Sequence, residues 1–138
     1  MTIQELYSLK TIQKEIEDYE AKIIELREVA EKITPSYDGM PKASGISDKV
    51  GKAATAIVAY TEMLEHAVQE KIEQTIKINA YILDIPDAQL RHIMFLRFVN
   101  GLSWVNIAMR IGGGNTGDAV RKRCNRYIKN RSKGENRK

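Results

Sequence analysis

From Ile12 the apolar residues of this chain fall at Ile12, Ile16, Tyr19, Ile23, Leu26, Ala30 and Ile33, in steps of four and three. That spacing keeps them on one narrow stripe of an α-helix and does not fit the two-residue period of a strand. Thr34-Pro35 ends the helix, because proline cannot continue the ladder and restricts the residue before it. The stretch SYDGMPKASGISD reads as a loop, with Ser47 or Asp48 as the next N-cap. The rhythm then resumes at Val50, Ala54, Ile57, Thr61, Leu64, Val68, Lys71, Thr75, Ile78, Ile82 and Ile85, and stops at Pro86. A helix over that stretch is roughly 55 Å long. The simplest way for two such stripes to cover each other is to fold back. The expectation is an all-α chain opening with a long antiparallel helical hairpin, coiled-coil-like, over residues 1–85. Thr61, Lys71 and Thr75 weaken its seam. Small residues around Ala53, Ala54, Ala56 and Ala59, with Gly45 and Gly51, permit close helix approach near the turn.

After Pro86 the elements shorten. Residues 87–99, DAQLRHIMFLRFV, read as a short helix stopped by Asn100-Gly101, both tolerant of the left-handed conformation. Ser103 caps a second, SWVNIAMRI, with Ile107, Ala108 and Ile111 facing inward. A third runs from about Thr116 to Lys129, buried along Val120, Cys124, Tyr127 and Ile128. The expected organisation is therefore a hairpin at 1–85, a three-helix module at 86–130 and a basic disordered tail at 131–138.

Charge is distributed unevenly. The chain carries a net +4, but residues 1–109 hold 12 Lys/Arg against 16 Asp/Glu, while residues 110–138 hold 10 against 2. The basic end implies a polyanionic partner there. It begins with IGGGNTGDAVRKRC, in which Gly112, Gly114 and Gly117 fit G-x-G-x-x-G. A dinucleotide loop needs a strand before it and a βαβ unit around it. Here the preceding residues have helical spacing, and 21 residues follow Gly117, too few for the helix and strand required. The glycines read instead as the turn of a helix-turn-helix. Asn115 or Thr116 caps the third helix, with Asp118 in a capping-box-like role. On a helical wheel Asp118, Lys122, Asn125, Arg126 and Lys129 lie opposite the apolar face, with Arg121 and Arg123 on the flanks. An apolar side to hold the helix and Arg, Lys and Asn outward is what groove reading requires. Lys122 and Asn125 are expected to face the major groove, with Arg121 near a base edge and Arg123, Arg126 and Lys129 on phosphates. Ser103, Asn115 and Thr116, at the starts of the two helices, complete the expected DNA-contacting set.

The segment IMFLRFVNGLSWVNIAMRIG resembles the start of region 4 of bacterial primary sigma factors and their phage relatives. Leu96-Arg97-Phe98, Asn100-Gly101, Ser103 and Ile107-Ala108-Met109-Arg110-Ile111-Gly112 follow the family pattern, and Val120-Arg121-Lys122-Arg123 resembles its recognition-helix segment. The turn is longer here and glycine-rich. The whole chain is similar to small proteins of Gram-positive phages and integrated elements, of the type of the late-gene activators ArpU and RinA. The resemblance implies a sequence-specific transcriptional regulator acting on double-stranded DNA, with RNA polymerase as a candidate second contact.

Other features are blander. His66 and His92 lack partners at metal-ligand spacing, and one cysteine excludes an internal disulfide. Cys124 reads as core, although nearby cations can lower a thiol pKa. Trp104 reads as a lid on the core. No catalytic constellation is visible, so neither an enzyme nor a cofactor is expected. The longest apolar run, Ala53 to Tyr60, is too short to span a bilayer, and Gln4 and Glu5 do not suit a signal peptide. The expected setting is the cytoplasm of a bacterial host. Ile72, Ile76 and Leu83 lie beside the main stripe of the second long helix and point to a homodimer through that helix. Two other functions remain open: a sigma-like adaptor that binds polymerase or a phage protein without specific DNA contact, and a small terminase-like packaging protein. The latter usually carries its DNA-binding module first, whereas here it is last.

Overall fold

The computed structural model describes residues 1–32 and 44–137. The described residues are helical with short connections: α1 (Ile3–Leu6), α2 (Ser8–Lys32), α3 (Ser44–Leu83), α4 (Ala88–Met94), a π-helical turn (Phe95–Val99), α5 (Trp104–Ile111) and α6 (Gly117–Asn136). The loop expected after Thr34 lies outside them. Helix α3 begins at Ser44, earlier than a cap at Ser47 or Asp48 would place it. The chain packs as two compact units, residues 12–70 and residues 1–11 with 71–138. The expected boundary at 85 therefore falls inside a packed unit.

In the unit of residues 12–70 the first long helix packs antiparallel against α3. Ile12, Ile16 and Ile23 are buried along the predicted stripe, and Ala53 and Ala67 are buried on α3. Ile12, Ile16 and Ala67 form a cluster edged by Tyr19 and Leu64. Tyr19 and Tyr60 meet with ring centroids 6.5 Å apart. Val50 and Val68, expected in the seam, are exposed at 37% and 40%; the small Ala67 takes the contact beside Val68, so this part of the hairpin closes on alanine. The Thr61 hydroxyl donates to the Ile57 carbonyl at 2.7 Å, which satisfies its polarity within the helix without strengthening the seam.

The other unit has a larger core. Leu6, Ile78, Ile85, Ile93, Met94, Leu96, Ile107 and Cys124 are nearly inaccessible there. Each full-sized apolar side chain so buried contributes about 1.5–3 kcal/mol from transfer alone. Residues 1–11 belong to this core, a placement the heptad pattern from Ile12 onward does not reveal. Thr2 and Glu5 form a capping box for α1, and Leu6 and Leu9 enter the core beside Ile78 and Ile82. Tyr7 packs edge-on against Phe98, with centroids 5.0 Å apart.

Pro86 separates α3 from α4, and Asp87 caps α4 by accepting from the Gln89 and Leu90 N–H groups. The Arg91 guanidinium donates to the carbonyls of Ile85 and Pro86 and fixes this corner. The π turn widens the helix end, with the Asn100 N–H reaching the Phe95 carbonyl at 3.1 Å. Gly101 then takes φ +74°, while Asn100 stays right-handed. Ser103 caps α5, its hydroxyl accepting from the Asn106 N–H. Helix α6 continues through Asn136, where the sequence reading expects a disordered tail from residue 131.

Candidate nucleic-acid interface

Gly112, Gly113 and Gly114 have φ of +67°, +70° and +73°. Three successive positive-φ residues turn the chain out of α5, a path that glycine follows readily and that strains a residue with a Cβ. Asn115 stabilises the turn rather than capping α6: its amide donates to the Gly112 carbonyl at 2.8 Å. Thr116 is the N-cap and accepts from the Ala119 N–H at 3.1 Å. Gly117 has a different role. A Cβ there would sit 3.0 Å from the Val105 nitrogen and 3.1 Å from the Trp104 carbonyl carbon, so glycine lets the start of α6 press against the start of α5. The G-x-G-x-x-G spacing is thus explained by a tight turn and a close helix approach.

Val120, Cys124 and Ile128 are buried on the inner face of α6, and Tyr127 packs partly against the core, as expected. Burial pushes the Cys124 thiol up to about 12, and the opposing pull of Arg123 and Arg97 does not overcome it. Cys124 is core, as the sequence implies, and the nearby cations do not bring its thiol below the ordinary value. On the outer face Lys122, Arg126 and Lys129 are exposed. Asp118 does not act as a capping-box residue. It pairs with Arg121 at 2.7 Å and Lys122 at 3.0 Å, and these two cations, Arg121 foremost, hold its carboxyl below the usual aspartate range.

Two of the expected DNA-contacting residues have surroundings that the sequence does not reveal. Arg123 forms an ion pair with Asp87 and donates to the Gln89 side chain at 2.6 Å. It ties α6 to the start of α4, and Asp87 is held below its ordinary value by the Leu90 N–H first and by Arg123 in addition. Asn125 is half-buried and lines a cleft of about 430 Å³ with Met1, Thr2, Ile3 and Gln4. Lys129 borders the same cleft while remaining exposed. Neither environment could be read from sequence, because the partners of Arg123 and the residues that share the cleft with Asn125 include ones far away along the chain.

Sequence reasoning also missed Arg97 as a structural centre. Its guanidinium lies 4.6 Å from the Trp104 ring centroid and 5.2 Å from that of Tyr7. It donates to the Tyr7 hydroxyl at 3.3 Å and to the Leu102 carbonyl at 2.9 Å. This cation thereby joins α1, the π turn and α5, and Trp104 is half-buried against it. On the outer side of α5, Val105 and Met109 are exposed at 62% and 75%.

His66 and His92 are exposed. Among the described residues no cluster of His, Cys, Asp or Glu could hold a metal ion, and no helix is long and apolar enough to cross a membrane. Comparison of the chain with family models, with curated proteins and with solved structures finds no match.

Proposed function

We propose that this chain is a sequence-specific, double-stranded-DNA-binding transcriptional regulator. In this reading α4, α5 and α6 form a helix-turn-helix of the sigma region 4 kind, with α6 as the recognition helix. One observation carries it: α6 is locked to the protein by an apolar face and by Arg123, while the opposite face presents Lys122, Arg126 and Lys129 to solvent. A helix held rigidly from behind with cations in front suits insertion into the major groove. Lys122 and Arg121 are assigned to base edges, and Arg126 and Lys129 to phosphates. Arg123 is withdrawn from the contact set because its guanidinium is engaged within the protein, and Asn125, half-buried beside a cleft, keeps its proposed place at the groove. Engaging DNA means exchanging the exposed Asp118 pairs for contacts to bases, which costs little because such pairs contribute about 0–1 kcal/mol.

The test is affinity for a duplex selected by the protein from a random pool, compared with a scrambled duplex. Lys122→Ala is expected to cost about 1–3 kcal/mol on the selected site and much less on the scrambled one. Arg126→Ala weakens both alike. If both variants bind both duplexes as the wild type does, α6 is not the recognition helix.

The exposed Val105 and Met109 favour a protein contact on α5 as a second reading. RNA polymerase is the partner proposed there, and the adaptor function is what remains if DNA binding fails. A homodimer is proposed through Ile72, Ile76 and Leu83 of α3.

A further inference from the structure

Residues 129–137, KNRSKGENR, contain no apolar side chain and include Gly134. Nothing hydrophobic holds them to the protein, and glycine lowers helix propensity. They nevertheless continue α6 to Asn136; Glu135 lies 3.7 Å from the Met1 amino group, and the more extensive attachment is Arg131. Its guanidinium lies 3.9 Å from the Tyr81 ring centroid. It donates to the Tyr81 carbonyl at 2.8 Å and pairs with Asp84 at 3.2 Å. Arg131 is the inward cation of this segment; Lys129, Lys133 and Arg137 are exposed. With Lys122 and Arg126 they occupy a wedge of about 80° along one side of the helix. Among the described residues Arg126, Lys129, Lys133 and Arg137 have no acidic partner.

We infer that the distal part of α6 is a phosphate track, a second DNA contact continuous with the reading face, in which Lys129, Lys133 and Arg137 touch the backbone and Arg131 positions them. The inference rests on the proposal that α6 binds double-stranded DNA. A helix of 20 residues is about 30 Å long, whereas the major groove is about 12 Å wide. With its first turns among the bases, such a helix leaves the groove and passes over a sugar–phosphate strand. Cations aligned with Lys122 but two to four turns further on meet phosphates, which carry no sequence information. A frayed tail bearing the same charges would have to be ordered on binding; Arg131 has already ordered this one.

The experiment is binding of the intact chain to the selected and scrambled duplexes across a salt series, for the wild type, Lys133→Gln/Arg137→Gln, Arg131→Gln and Lys122→Ala. Each lost phosphate contact lowers the slope of log affinity against log salt by about 0.9. The double variant is therefore expected to lose about 1.8 from the slope on both duplexes, so that raising salt fourfold weakens its binding about 12-fold less than it weakens the wild type. The ratio between the two duplexes stays the same. Arg131→Gln is expected to lower the slope as well, together with hydrogen-exchange protection over residues 130–137. A double variant with the wild-type slope overturns the phosphate track, as does a change confined to the selected duplex. An Arg131→Gln variant with unchanged slope and protection overturns the positioning role. If the wild type binds neither duplex, the DNA-binding reading fails and the track with it; if Lys122→Ala loses the selected site while the double variant keeps its slope, only the track fails.

Discussion

Cys124 and Arg123 are neighbours in sequence and opposites in chemistry. The thiol is fully buried among Val120, Ile107 and Ile93 in the larger core, and the folded state favours its neutral form. The unfolded chain releases the proton near the ordinary value of 9.0, the folded protein only near 12. The stability associated with the protonated thiol is therefore fully present below pH 9 and falls by about 1.4 kcal/mol per pH unit above it, until the folded value is reached. Burial also raises the Tyr81 phenol above 10.0, which adds a loss in the same direction at higher pH. Urea unfolding at pH 8 and pH 10 checks this: the wild type is expected to lose about 1.4 kcal/mol more than Cys124→Ala over that interval. Equal losses in the two proteins would show that the thiol does not titrate with folding. The inward place of Cys124 was legible, because it sits four residues after Val120 and four before Ile128. The engagement of Arg123 was not, since Asp87 and Gln89 are more than 30 residues away and no local period links them.

The elements divide according to the forces that define them. Helices α2 and α3 are long apolar stripes, and the alternation of three and four was enough to predict them and their antiparallel packing. Helix α1 left a smaller trace, the Thr2-x-x-Glu5 capping box, and its destination depends on contacts such as Tyr7 with Arg97, 90 residues apart. The end of α6 left no hydrophobic trace at all, which is why composition alone suggested disorder there. At the junction of α5 and α6 the decisive residue is Gly117. Gly117→Ala puts a methyl group against the backbone of Trp104 and Val105, and the expected cost is about 1–3 kcal/mol because backbone cannot move aside as a flexible side chain does. Gly51 is the contrast: it lies within α3, and a Cβ added there would meet nothing within 4 Å. Gly51→Ala is expected to stabilise by about 0.5–1 kcal/mol through helix propensity. Thermal unfolding of the two variants checks both directions; a Gly117→Ala protein as stable as the wild type would contradict the close approach.

For the whole molecule, the proposed DNA-binding reading bears on assembly through α3. Ile72, Ile76 and Leu83 are exposed at 50%, 64% and 78%, and they lie within about 40° of one another around α3. An apolar stripe of this kind suits a second copy, and a two-fold pair would present two α6 helices to a paired site. Sedimentation velocity of the intact chain is expected to show a dimer at micromolar concentration and a monomer for Ile76→Glu. A wild type that remains monomeric would remove the stripe from the account.

In the proposed reading the outer face of α6 meets DNA. Amide chemical-shift mapping of the intact protein, titrated with its selected duplex, tests it most directly. The largest changes are expected from Thr116 to Lys133, centred on Lys122 and Arg126, with smaller ones at Ser103 and Asn106 and little change at the acidic residues Glu15 to Glu31 of α2. Shifts confined to α2 and α3, or no shifts at any duplex concentration, would show that α6 is not the DNA-binding face.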